Sequence, residues 1–293
     1  MELTKEDATW AADKLINYFN NFGRIDDYFR TRKLERIKNL PVSLPGMGVE
    51  KDMFTSFDMN PEEMNFDVVL QTDSMFDYDT MLEKTASFSP DQNPGKQVKI
   101  LVIETNTNTV VGFIRLGSPL INSKPRNDYL GGVPDLPIFN KRAIMGFNIV
   151  PIQPFGYNYL GGKLLASICC SHKIRRMINE KYNNEFCLFE TTSLYGSIKG
   201  NSQYDGLKPL IRYRGDTESK LMMNLSDEKY KTMRDEIQNK YNNGEQLVPD
   251  TQEIPTSRKM RTQAKILSYL KESLKVYDMD KYSHLSKVVK DKM

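Results

Sequence analysis

The spacing of apolar residues divides the chain into helical ends and a strand-rich middle. Trp10, Leu15, Tyr18, Phe19 and Phe22 recur at helical spacing. They predict a first helix over residues 4 to 22, with Thr4 as its cap, Asp7 at the third helical position and Gly23 past its end. A second helix, Asp26 to Leu40, places Tyr28, Phe29, Leu34 and Ile37 on one side and stops at Pro41. Pro41 to Gly48 reads as a loop. Beyond it little periodicity survives; Phe66 to Gln71 reads as a short strand and Tyr78 to Lys84 as a helical turn.

The middle is plainer. Val98 to Glu104 and Val110 to Leu116 are β-branched runs joined by the polar turn Thr105 to Thr109. They predict a hairpin pairing Ile100–Ile103 with Val111–Ile114. Ser118 to Asn140, with Gly131, Gly132, Pro134 and Pro137, is expected to be a long loop serving as a lid or contact surface. Ala143 to Val150 is the next strand. Leu164, Leu165, Ile168, Cys169, Ile174, Met177 and Ile178 then recur as in a helix, with a break at Ser171-His172. Glu185 to Glu190 is a strand, Thr191 to Gly196 the loop leaving it, and Leu207 to Tyr213 a further strand. Helices over Asp227 to Tyr241 and Thr256 to Tyr277 follow, separated by the polar linker Asn242 to Gln246.

This order predicts an α/β fold: a mixed sheet with flanking helices, plus helical N- and C-terminal extensions. The expected division is residues 1–48, 49–215 and 216–293. The strand–helix–strand part should form a right-handed parallel crossover. Such a crossover would set the strand ends at Val150 and Glu190 side by side, where ligands of open sheets gather.

Composition adds limits rather than a function. Hydrophobic residues make up 39% and charged residues 27% of 293, as in an ordinary globular protein. No apolar run approaches the roughly 20 residues of a membrane span, and no membrane partner is expected. Met1 to Asp7 lacks the features of a secretory signal, so a cytoplasmic location is expected. Cys169, Cys170 and Cys187 form no even disulfide framework, and His172 and His284 lie in no metal-ligand spacing. No metal site is expected.

Charge is unevenly spread around a net +3. Residues 50 to 83 carry ten acids (Glu50, Asp52, Asp58, Glu62, Glu63, Asp67, Asp73, Asp77, Asp79 and Glu83) against Lys51 alone. Basic residues collect on the second helix and along the last segment. Arg30, Arg32, Lys33, Arg258, Lys259 and Arg261 are therefore candidate nucleic-acid contacts, with Tyr204 as a base-stacking ring. Solvated helix surfaces are the competing reading of those charges.

Two stretches carry candidate chemistry. In the first, an apolar strand ends at Pro151, a loop rich in Pro, Gly and Asn follows, and Gly161-Gly162-Lys163 opens a helix. A helix N-terminus directs unpaired N–H groups at one point and suits a phosphate. Val150, Gln153, Gly156, Tyr157, Asn158, Gly161, Gly162 and Lys163 are the candidate cofactor-binding residues. The alternative is a tight turn needing glycine only for its dihedrals. The spacing is that of neither a Walker loop nor a dinucleotide fingerprint. The second stretch is Glu190 to Gly196, with Ser202-Gln-Tyr close behind. Glu190 would act as a general base and Tyr195 as an acid, with Thr192 and Ser193 beside them. Ser193 has no histidine placed to activate it. A hydrogen-bonded turn is the competing reading.

Together, Val110-Val-Gly-Phe-Ile-Arg-Leu, then Ile149-Val-Pro, Gln153, Gly156 and Gly161-Gly162, resemble the N-acetyltransferase (GNAT) superfamily. That resemblance implies an acetyl-CoA or other phosphate-bearing donor at Gln153 to Lys163. Pro154, Phe155 and Tyr157 to Tyr159 depart from the superfamily's turn by lengthening it. Pro154 to Leu165, Thr191 to Gly196 and Ser202 to Tyr204 also resemble phage-type proteins related to the Druantia anti-phage component DruA, over residues 98 to 213. The GNAT-like core is similar to Mom-type enzymes that modify phage DNA bases. The resemblance thus implies a group (acyl) transferase acting on nucleic acid, DNA in the first place, or on a nucleotide-linked amine. For a phage protein the location implied is the infected bacterial cell. The alternative is a non-catalytic nucleic-acid- or protein-binding protein on the same scaffold.

Overall fold

The computed structural model describes residues 2–20, 25–40, 60–71, 78–87, 95–152, 161–193, 200–217, 228–249 and 258–292. The expected loop Pro41 to Gly48 lies outside them, as do Asp52, Asp58, Asp73 and Asp77 of the acidic stretch. The chain divides into two compact units, one of Met1–Arg32 with Ser219–Met293, the other Lys33–Glu218.

The first unit is helical. It contains α1 (Lys5–Asn20), the start of α2 (Ile25–Lys38), α8 (Glu228–Tyr241), α9 (Arg258–Tyr277) and α10 (Met279–Lys292). The Thr4 hydroxyl accepts from the Asp7 N–H at 3.3 Å and donates to the Asp7 carboxylate at 2.9 Å, capping α1 as its sequence predicts. The apolar face of α1, including Leu15 and Phe19, shares one core with Met233 and Ile237 of α8, Leu270 and Leu274 of α9, and Leu285 of α10. Ends distant in sequence are thereby joined: the Leu3 N–H donates to Ser273 Oγ at 3.0 Å.

The second unit is α/β. Its elements in order are β1 (Phe66–Leu70), α3 (Tyr78–Thr85), β2 (Gln97–Glu104), β3 (Thr109–Gly117), α4 (Lys124–Leu130), α5 (Leu136–Arg142), β4 (Ala143–Pro151), α6 (Gly161–Cys169), α7 (His172–Tyr182) and β5 (Leu188–Thr191). They form one mixed sheet in the order β1-β2-β3-β4-β5, antiparallel except for the parallel pair β4–β5. The hairpin register is Ile100↔Ile114, Leu101↔Phe113 and Val102↔Gly112, then slips by a bulge so that Ile103 meets Val110. On one face Val98, Ile100, Ile114 and Leu116 meet Leu165 of α6 and Ile174 and Ile178 of α7. On the other, Leu101 and Phe113 meet Tyr78, Met81 and Leu82 of α3. Ser171 caps α7 by accepting from the Ile174 N–H at 3.3 Å, which is the break expected there.

Three expectations are corrected. The presumed loop Ser118 to Asn140 holds α4 and α5, because Pro125 and Pro137 occupy the first turns, where no N–H is needed, and Gly131 (φ +81°) ends α4. Leu207 to Tyr213 is a series of turns, with the Ile211 N–H bonded to the Leu207 carbonyl at 3.1 Å. Pro209 lacks a ladder donor and Leu210 is 58% exposed, so no buried strand face exists. The strand before the second motif starts at Leu188 rather than Glu185. Phe186 is instead held in the core, its N–H donating to Asn179 Oδ1 at 2.9 Å.

Candidate functional site

The site is built where β4 and β5 part. Their parallel ladder is short: Ala143↔Leu188, Ile144↔Phe189, Met145↔Glu190 and Gly146↔Thr191. β5 ends at Thr191 while β4 runs on to Pro151, paired through Val150↔Phe113 and Pro151↔Gly112 to β3 alone. From Phe147 onward one edge of β4 has no strand beside it among the described residues. The register also corrects the expected neighbours: Glu190 lies beside Met145, not beside Val150.

Both sides of this opening are lined by polar groups. α6 starts at the same end of the sheet, and its first residue, Gly161, has φ +45°, a conformation that glycine tolerates best. Gly162 has open space where a Cβ would stand. Of the two glycines only Gly161 is demanded by the backbone. Lys163 is exposed, and its ammonium lies 3.6 Å from the place a Cβ on Gly206 would take. The turn that contains Gly206 also brings Tyr204 to Thr191, side chain to side chain, and the Gln203 N–H to Ser193 Oγ at 3.3 Å. Thr191 Oγ1 donates to the Gly146 carbonyl at 2.9 Å. The Gly161–Lys163 end of α6, the end of β5 and Ser202–Gly206 are therefore one neighbourhood, as the paired motifs predict.

Glu190 points to the other face of the sheet, toward α4. Its carboxylate accepts from Arg126 Nη1 at 3.3 Å. Arg126 also donates to the carbonyls of Leu120 (2.6 Å) and Ile121 (3.0 Å), and its guanidinium stacks 4.5 Å from the Phe139 ring centroid. Burial pushes the Glu190 carboxyl above the ordinary glutamate range, and Arg126 opposes that shift without cancelling it. Among the sites missed in the sequence are Arg126, in the presumed loop, and Asn148. The Asn148 side chain lies two residues beyond the last β5 pair and is 8% exposed. A lone polar residue interrupting the apolar run Ile144 to Val150 is the signal that marks it.

The remaining candidates are placed as follows. Gln153, Gly156, Tyr157, Asn158 and Tyr195 lie outside the described residues. Val150 packs beneath α3, and Thr192 is exposed. Tyr204 is 9% exposed and its hydroxyl is engaged by Thr191, so its ring is a wall of the site rather than a free stacking surface. Lys33 is 6% exposed; its ammonium donates to the Glu83 carbonyl and carboxylate, which takes it out of the surface cations. Arg30 is exposed and Arg32, Arg258 and Arg261 half-buried, all in the helical unit; Arg261 donates to the Pro249 carbonyl at 3.4 Å. Lys259 is on α9, with its side chain outside the described part. Cys169 is buried and its thiol is pushed far up by burial, which leaves it inert. Among the described residues no helix is long and apolar enough to cross a membrane.

Comparison with known proteins is consistent with this geometry. The family model described as Druantia protein DruA matches residues 50–203, slightly more than half of the 293. That match covers the whole sheet, the Pro151 to Lys163 stretch and Glu190 to Gly196. No curated protein matches the chain.

Proposed function

The chain belongs to the family of the Druantia protein DruA, and from that premise we propose that it is a GNAT-like group transferase acting on nucleic acid. The observation that carries the reading is the parting of β4 and β5 next to the N-terminus of α6. An unpaired strand edge offers N–H and C=O groups to an extended, amide-bearing arm, as in coenzyme A. The start of α6 offers N–H groups to its phosphates, with Lys163 as a nearby cation. Gly161 in the left-handed region supports such a cradle, because a side chain there would be strained.

In this reading an amine of the acceptor, such as the exocyclic amine of a base, attacks the donor's acyl carbonyl carbon. The C–N bond forms as the C–S bond breaks. The amine would approach from the α4 face of the sheet, its proton passing through water to the Glu190 carboxylate held there by Arg126, and the departing thiolate takes a proton from Tyr195 or solvent. A carboxyl raised by burial suits a general base better than a fully solvated one. Asn148, buried just past the last β5 pair, would hold a polar group of the substrate.

Calorimetric titration with acetyl-CoA, coenzyme A and nucleotides tests the donor site. Binding with the fold intact, weakened by Gly161→Ala, is expected; no binding of any of them sinks the reading. Transfer of labelled acetyl groups to DNA, lost in Glu190→Gln, separates a transferase from a binding protein on the same scaffold.

A further inference from the structure

We propose that Lys208 to Arg214, together with Tyr129 of α4, forms a surface that binds single-stranded nucleic acid. As the path of the acceptor it rests on the transferase reading above; as a nucleic-acid surface it stands on its own residues.

The segment has the composition such binding needs. Lys208, Arg212, Tyr213 and Arg214 are all exposed, and Leu210 (58%) and Tyr213 (61%) present apolar surface to water between the cations. The Arg214 guanidinium lies 3.7 Å from the centroid of the Tyr129 ring, which is itself 53% exposed. A planar cation stacked on a half-exposed ring makes a flat, positive platform. Aromatic faces accept bases of any identity, and guanidinium groups take the phosphates between them. Asp216 and Asp205 lie near the Tyr213 hydroxyl and push its pKa up.

Charge sets the expected strength. Asp128 is paired with Lys124 at 2.8 Å, so Asp205 and Asp216 are the acids that oppose Lys208, Arg212 and Arg214. The surplus is small. Binding should therefore be modest and steeply salt-dependent.

Position links the surface to the site. The segment leaves the turn where Tyr204 meets Thr191 and Gly206 approaches Lys163. It ends at α4, where a Cβ on Gly215 would lie 3.3 Å from Pro125. A strand lying along it would reach the end of β5, beside Thr191. The exposed Val133 (76%) and Ile138 (64%) on the same insertion would suit a protein partner. The alternation of cation and ring favours nucleic acid over that choice.

The test is fluorescence anisotropy of the full chain with a labelled single strand of about a dozen nucleotides, across a salt series. Arg212→Glu with Arg214→Glu should weaken binding about tenfold or more and flatten the slope of log affinity on log salt by about 1.4. Tyr129→Ala with Tyr213→Ala should weaken it several-fold at an unchanged slope, and keeps the proposal testable if the charge reversals impair folding. Wild-type failure to bind, or wild-type affinity in both double variants, overturns the proposal. So does loss of binding confined to Val133→Asp, which would mark a protein-type surface. A parallel acetyl-CoA titration separates the two readings: oligonucleotide binding without donor binding leaves this surface standing and removes the transferase.

Discussion

Arg126 and Glu190 meet at 3.3 Å, although 64 residues separate them and one lies in a stretch that reads as a loop. The guanidinium side chain is 5% exposed and the carboxylate 18%. Neither charge is well placed to find water if the other is removed. Arg126→Leu should therefore cost about 3–5 kcal/mol, the range for breaking a buried pair from one side. The loss should shrink in acid. The folded-state pKa of Glu190 is raised, so its stabilising contribution is greatest below the ordinary carboxylate pKa and is lost as pH rises through the raised value. Denaturant midpoints from about pH 4 to pH 8 check this. An equal loss at every pH would assign the effect to packing on Phe139 instead.

Glu104 gives the opposite sign. It ends β2 fully buried, and its carboxylate accepts from the N–H groups of Asn65 (3.1 Å), Asn106 (3.1 Å) and Thr107 (2.8 Å) and from the Thr107 hydroxyl (2.7 Å). Burial alone would raise its pKa, but these hydrogen bonds outweigh burial and hold it below the ordinary range. Its contribution is present above the unfolded value, about 4.3, and disappears as pH falls through the folded value. Glu104→Gln should cost about 1.5–3 kcal/mol at neutral pH, the worth of hydrogen bonds to a charge. Melting curves of variant and wild type should converge in acid.

Much of this architecture was legible because local pattern and burial agree. The β2–β3 hairpin, β4, the capped start of α1 and the break at Ser171 all follow from short-range residue spacing. The α4–α5 insertion was not, because Pro125 and Pro137 look like breakers unless they are recognised as first-turn residues. Leu207 to Tyr213 has a strand-like mixture of residues, but it never buries a face. At the site, the convergence of Lys163, Thr191 and Tyr204 could be foreseen from a parallel crossover. The Arg126 partner of Glu190 could not, since no periodicity connects α4 to β5. Lys33 misled for a similar reason: its partner Glu83 is 50 residues away.

Gly112 fixes how closely α6 approaches the sheet. A Cβ there would lie 2.5 and 2.9 Å from the two terminal carbons of Leu165, and 3.2 Å from the Val150 carbonyl oxygen. Leu165 is fully buried, so it has little room to yield. Gly112→Ala should destabilise by about 1–3 kcal/mol, as overpacking of a filled core does. Adding Leu165→Val should recover part of that loss by removing one methylene. A thermal-melting comparison of the two variants checks it, and no recovery would place the strain at the Val150 carbonyl.

Gly161 and Gly162 are adjacent in sequence and differ in what they require. Gly161 sits at φ +45°, where a Cβ costs roughly 1–2 kcal/mol. Gly162 has no positive φ and open space around its missing Cβ. Gly162→Ala should therefore stabilise the fold by about 0.5–1 kcal/mol, since alanine loses less entropy in a helix. If the first turn of α6 cradles the donor's phosphates, the added methyl should also weaken acetyl-CoA binding. Stability and affinity would then move in opposite directions, a result that general damage to the fold cannot produce. Scanning calorimetry and isothermal titration on the same sample measure both. Unchanged affinity in the stabilised variant would leave Gly162 outside the donor's footprint.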